Sequence, residues 1–224
     1  MHATVKRNIS ITGNGSSNGG SFHNVRVVGE AHIFGPLESD SFRSMGNFDV
    51  SGSLKAVHYR QVGEAAVRGD LMGSEISILG QLHITGSIRG RSVKLRGQLD
   101  VQGGECEALR FDARGGFHIH GLLHAGEVDI RTWGPCRAKE ISGGRIVVRQ
   151  SKWGGLKQLF SGQGAMSLSA ELIEGDYVYL ENTTADIVRG ANVTIGPGCR
   201  IGLVEYTKQL RRIGNAHIYE EARR

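Results

Sequence analysis

Apolar and polar residues alternate along this chain in short runs, and the runs return at a fixed step. Ile33, Val50, Val67, Ile84 and Val101 stand 17 residues apart. The stretches "LMGSEISI" (71–78) and "IRGRSVKL" (88–95) share an apolar-x-Gly-x-x-apolar-x-apolar pattern, which returns as "ISGGRIVV" (141–148), "IEGDYVYL" (173–180) and "VRGANVTI" (188–195). "LHAGEVDI" (123–130) matches with Ala125 in the glycine place. Strict alternation has period two, the mark of a strand that buries one face, and nothing sustains a helical period of 3.6.

Glycine keeps the same step. Gly29, Gly46, Gly63, Gly80 and Gly97 form one series, and Gly35, Gly52, Gly69, Gly86 and Gly103 a second. Short strands separated by regularly spaced corners predict an all-β fold, a single-stranded parallel β-helix with coils of about 17 residues. One such coil cannot cover its own inward side chains. Stacked at the ~4.8 Å strand spacing, each coil covers the next, with like residues above like and glycine at the corners where positive φ is needed. Arg68-Gly69-Asp70 has the form of an adhesive tripeptide, yet Gly69 is one rung of the second series and its neighbours are outward positions. The match is a coincidence of register.

The repeat slips by one at Gly103-Gly104 and again near 132–135. It is broken by "QSKWGGLKQLFSGQGA" (150–165), rich in glycine and lysine around Trp153 and Phe160, which reads as an inserted loop with an amphipathic centre. The organisation expected is an N-terminal segment and first coil over 1–24 and coils over 25–149. After the loop at 150–165, coils resume over 166–206 and a charged cap or tail fills 207–224.

Composition narrows the class. Of 224 residues 34 are glycine and only 3 proline, twice the usual glycine share of ~7%, without a collagen period. The core must therefore be built from small branched side chains. Cys106, Cys136 and Cys199 are far apart and odd in number, which points to reduced thiols and a cytoplasmic setting. No apolar run reaches the ~18 residues of a membrane span, and "MHATVKRNIS" has no apolar signal core.

The segment "GPCRAKEISGGRIVVRQ" (134–150) stands before the loop, and "IEGDYVYLENTTADIVRGANVTIGPGCRIGLVEY" (173–206) follows it. In this order, with glycine-cornered coils throughout residues 20 to 206, the chain resembles the bactofilins, polymer-forming bacterial cytoskeletal proteins, in their longer cytoplasmic relatives. The resemblance implies a right-handed β-helix that polymerises end to end without nucleotide and scaffolds membrane-proximal processes. The chain departs from shorter members in its length, its loop and its lack of a proline-rich tail.

Candidate chemistry is sparse. "FHIHGLLH" brings His118, His120 and His124 close in sequence, but without a carboxylate or cysteine at ligand spacing it reads as a surface cluster rather than a metal site. "GNGSSNGG" (13–20) lacks the Gly-Lys-Ser/Thr ending of a phosphate loop and reads as a glycine turn. "VTIGPGCRIG" (193–202) looks like two hexapeptide units of an acyltransferase, but the six-residue step does not continue. Basic residues offer the one ordered feature. Arg26, Arg43, Arg60 and Lys94 follow the 17-residue step, interrupted by Ser77, and Arg96, Arg114, Arg131 and Arg149 form a second set. Stacked like charges repel, so either an anionic partner faces them or acidic columns neutralise them.

The function expected from the residues and the resemblance together is a non-enzymatic structural protein, without cofactor or metal. It self-associates with copies of itself or a homologous bactofilin, in the cytoplasm or peripherally at the inner face of the membrane. Nucleic acid is not an expected partner, because no aromatic residues interleave with the basic ones. The alternatives are a β-helix enzyme, acting on polysaccharide or transferring acyl groups, and an adaptor that caps related filaments.

Overall fold

The computed structural model describes residues 6–150 and 167–224, and among them every regular element is a β-strand. The chain divides into two compact units, Met1–Gly104 and Glu105–Arg224. The division falls where the glycine period slips. Each unit is a parallel β-helix.

The first unit holds β1 (Arg7–Val50), β2 (Leu54–Val67), β3 (Leu71–Ile84) and β4 (Ile88–Val101). β1 is long because it winds through more than one coil without a break. The strands pair in parallel and in one unbroken register: Leu37 on Leu54 on Leu71 on Ile88, and Val50 on Val67 on Ile84 on Val101. These inward columns are sealed, none of their members being more than 2% exposed. Burying an aliphatic side chain of this kind contributes about 1.5–3 kcal/mol, so stacking identical columns is what holds the coils together.

One place in that core is aromatic and polar. Phe42 stacks on Tyr59 with centroids 5.5 Å apart, and Phe48 packs against Phe42 at 5.0 Å. The buried Tyr59 hydroxyl donates to Gln61 Oε1 at 2.8 Å, and Gln61 Nε2 donates to the carbonyls of Gly63 (3.0 Å) and Gln81 (2.6 Å). The amide is thus satisfied in the interior, as a buried polar group must be.

The two glycine series do different work. Gly29, Gly46, Gly63, Gly80 and Gly97 all have positive φ, between 115° and 137°, as expected. In the second series positive φ is confined to Gly35, at 87°. Gly52, Gly69, Gly86 and Gly103 are instead needed for room. A Cβ at Gly52 would lie 2.7 Å from Pro36 N, and one at Gly103 would lie 2.4 Å from the Gly86 carbonyl carbon.

The second unit holds β5 (Glu105–Gln150), β6 (Leu168–Leu180), β7 (Thr183–Ile195), β8 (Arg200–Arg212) and β9 (His217–Arg223). Within β5 the step is 17 between Arg110 and Glu127 but 18 between His124 and Ser142. β5 pairs with β6 from Cys136 on Leu168 to Val147 on Tyr179, spanning the intervening segment. Later side-chain contacts join residues 15, 16 and 17 apart. The expected loop at 150–165 lies outside the described residues apart from Gln150, which ends β5. Residues 207–212 continue β8, and β9 pairs with β8 from Arg200 on His217 to Tyr206 on Arg223, so most of 207–224 is wound as coil. All three cysteines are buried and free, and burial pushes the Cys106 and Cys136 thiols up to about 12.

Candidate functional site

The ordered surface feature of the first unit is built around the corner glycines. Because β1–β4 keep one register, each outward position becomes a column. Arg43 lies on Arg60, then Ser77, then Lys94. Arg26 stands at the same place relative to Gly29, whose carbonyl underlies Gly46. The predicted basic column therefore exists.

Elsewhere on this unit, carboxylates meet lysine or histidine side chains from one coil to the next. His23 meets Asp40 at 2.6 Å, Lys55 meets Glu38 at 3.1 Å, His58 meets Glu75 at 3.3 Å, and His83 meets Asp100 at 2.9 Å. The basic column does the reverse. Among the described residues no ion pair or side-chain hydrogen bond engages Arg26, Arg43, Arg60 or Lys94, and Glu30 and Glu64 follow Arg26 and Arg60 along their coils. Two unit charges ~4 Å apart in water repel by about 1 kcal/mol, less when screened, so a stack of like charges is a cost that a facing partner of opposite charge would relieve.

Two flanking columns were not picked out from the sequence. Immediately before the corner glycines stand Val28, Met45, Val62 and Leu79, with Met45 paired to Val62 and Val62 to Leu79. Met45 is 60% and Leu79 49% exposed, although neighbouring outward columns are polar. Immediately after the glycines stand Glu30, Asn47, Glu64, Gln81 and Gln98, all exposed, with Asn47 on Glu64 on Gln81 on Gln98. The same 17-residue step that marked the glycines would have found both columns. The surface thus runs in three parallel stripes: cationic, apolar and acceptor.

The second basic set has different surroundings. Arg96 continues the apolar column past Leu79 and donates to the Leu95 carbonyl at 2.8 Å. Arg114 lies 4.0 Å from Asp112. Arg149 lies 3.9 Å from Asp129 and its guanidinium sits over the Tyr179 ring at 5.8 Å. Arg131 is exposed. These groups are answered locally or stand apart, and they do not repeat the stripe of the first unit.

The remaining candidates lie elsewhere on the coils. Arg68 binds Asp49 at 3.2 Å, and Asp70 Oδ1 accepts from the Ser87 backbone N–H at 2.8 Å, so the tripeptide staples adjacent coils. The rings of His118 and His120 stack at 3.9 Å, while His124 bonds Ser142 at 2.7 Å and joins no group of potential metal ligands among the described residues. Residues 13–20 lie inside β1, with no helix N-terminus among the described residues to hold a phosphate. No helix of the described residues is long and apolar enough to cross a membrane.

Comparison with known proteins gives partial likenesses. Over 87 residues the chain is 42% identical to "Uncharacterized protein YhbF" of Bacillus subtilis (strain 168), covering 38% of this chain and 34% of that protein. Over 90 residues it is 43% identical to "Uncharacterized protein YhbE" of the same organism, covering 40% of this chain and 37% of that protein. The match therefore spans little more than a third of either relative's length. No family profile matches the chain, and no solved structure matches it.

Proposed function

We propose that the protein is a non-enzymatic structural protein whose β-helix coils associate end to end, without nucleotide, into filaments or scaffolds. The partner is a second copy or a homologous chain, and the setting is the bacterial cytoplasm near the inner face of the membrane. The observation that carries this reading is the state of the outermost coils. Ile9 and Ile11 in β1 are half-buried, whereas Val25 and Val27, one coil further in, are 2% and 1% exposed. In the second unit Ile218 of β9 is half-buried over a sealed Ile201. Among the described residues β9 pairs with β8 alone, so its outer edge is open to a further strand. Such an edge recruits another strand. The resemblance to the polymer-forming bactofilins supports the same reading, as does a core filled by its own side chains.

The test is sedimentation velocity and negative-stain microscopy of the purified chain at micromolar concentration, with and without added nucleotide. Extended assemblies are expected in both conditions, and Ile11→Lys or Ile218→Lys should shorten them at least tenfold by placing a charge on the inward column. A strictly monomeric wild type would overturn the proposal.

A further inference from the structure

The stripes of the first unit carry a second inference, separate from the coil ends: we infer that this face pairs laterally with the same face of another copy, the two coil axes running parallel. The argument is one of order. Reading around each coil, the cationic position lies two residues before the apolar one, and the acceptor position two residues after it. Arg26, Val28 and Glu30 make the first such set, Arg43, Met45 and Asn47 the second, and Arg60, Val62 and Glu64 the third. Ser77, Leu79 and Gln81 follow, and then Lys94, Arg96 and Gln98.

A two-fold axis laid along the apolar stripe exchanges left and right of the two facing surfaces while keeping every coil at its own level. Arg26 then faces the other copy's Glu30, Arg60 faces Glu64, Arg43 faces Asn47, and Lys94 faces Gln98. Each contact is made twice, once from each copy. Val28, Met45, Val62 and Leu79 meet their own counterparts along the axis, which removes the exposed Met45 and Leu79 from water, and at the last level Arg96 meets its own counterpart, a local cost set against four apolar levels. An antiparallel pairing would lay cation on cation and acceptor on acceptor, so the charge order selects the parallel one. The same order disfavours an anionic lipid surface, since Glu30 and Glu64 lie along the stripe and would be pressed against negative headgroups.

Charge reversal tests this directly. Arg26→Glu with Arg60→Glu gives one variant, and Glu30→Arg with Glu64→Arg gives another. Each alone should weaken lateral association at least tenfold in sedimentation velocity. Their equimolar mixture should regain it, because every cation again meets a carboxylate, and so should the variant carrying all four changes. In Met45→Cys, the new thiols of paired copies lie at one level and should join under mild oxidation, the native cysteines being buried. To keep end-to-end growth out of the readout, the same reversals are repeated in the Ile11→Lys, Ile218→Lys background, where lateral pairing alone should leave a discrete dimer.

Filaments that persist at single width in the reversal variants support lateral pairing as a separate contact. Unchanged association in both reversal variants, or a mixture no better than its components, would overturn it. So would binding to phosphatidylglycerol vesicles that Glu30→Arg with Glu64→Arg strengthens, in a chain showing no lateral pairing without lipid.

Discussion

Glu205 is the most enclosed carboxylate among the described residues, its side chain only 10% exposed. Arg189 Nε donates to it at 2.7 Å and Arg224 Nε at 3.0 Å, while Arg189 also reaches Glu174 at 3.0 Å. The hydrogen bond from Arg189, and then that from Arg224, holds the Glu205 carboxyl below its ordinary value of 4.5. A carboxyl whose folded value is depressed contributes stability that is complete above the unfolded value and is lost as pH falls through the folded one. The second unit should therefore weaken on acidification below pH 4.5. Glu205→Gln should lower its stability at neutral pH and flatten its dependence below that point, as read by urea unfolding at pH 7 and about pH 3. This network was invisible in the sequence. Glu174, Arg189 and Glu205 stand 15 and 16 residues apart, off the 17-residue step, and only the shortened coils of the second unit stack them.

At the scale of the element, the corner decides whether coils stack. A Cβ at Gly63 would lie 2.2 Å from the Gly46 carbonyl oxygen, at a φ of +116° that side chains rarely adopt. The same is true rung after rung from Gly46 to Gly97. Gly63→Ala combines backbone strain with a collision against main chain, and should destabilise the first unit by about 3 kcal/mol or more in a denaturant melt. Gly35→Ala separates the two causes. Its φ is +87° but a Cβ there meets nothing within 4 Å, so only the conformational part, about 1–2 kcal/mol, should appear. Sequence periodicity located both glycine series, because a corner repeats as faithfully as the coil it closes. It did not distinguish positive φ from close approach, since both demand the same missing Cβ and leave the same letter. Nor did it weigh the apolar column beside the first series. Val28, Met45, Val62 and Leu79 pass for ordinary strand residues until the register turns them outward.

At the scale of the molecule, the architecture was legible because a β-helix writes its tertiary contacts into sequence as a period. Residues that touch are one coil apart, so Val50, Val67, Ile84 and Val101 announced their stacking in the sequence. The slip at Gly103-Gly104 was legible too, but the sequence reading carried one run of coils across it, over 25–149, where the structure divides into two units. What escaped was whatever does not repeat, such as the Phe42–Tyr59–Gln61 cluster, whose columns turn aliphatic only one coil further on, at Ile76 and Ile78. The unbroken register of β1 to β4 has one more consequence. Where every storey has the same floor plan, a storey can be taken out. Excising 71–87 joins Asp70 to Ile88 and brings Leu54 beneath Ile88, with aliphatic residue still over aliphatic residue and Gly63 still under a corner glycine, now Gly97. The shortened protein should melt cooperatively and keep its β-sheet circular dichroism, whereas removing one residue more or fewer should not, because a single-residue slip turns every interior side chain outward. Height in this unit is a quantity that changes in whole steps.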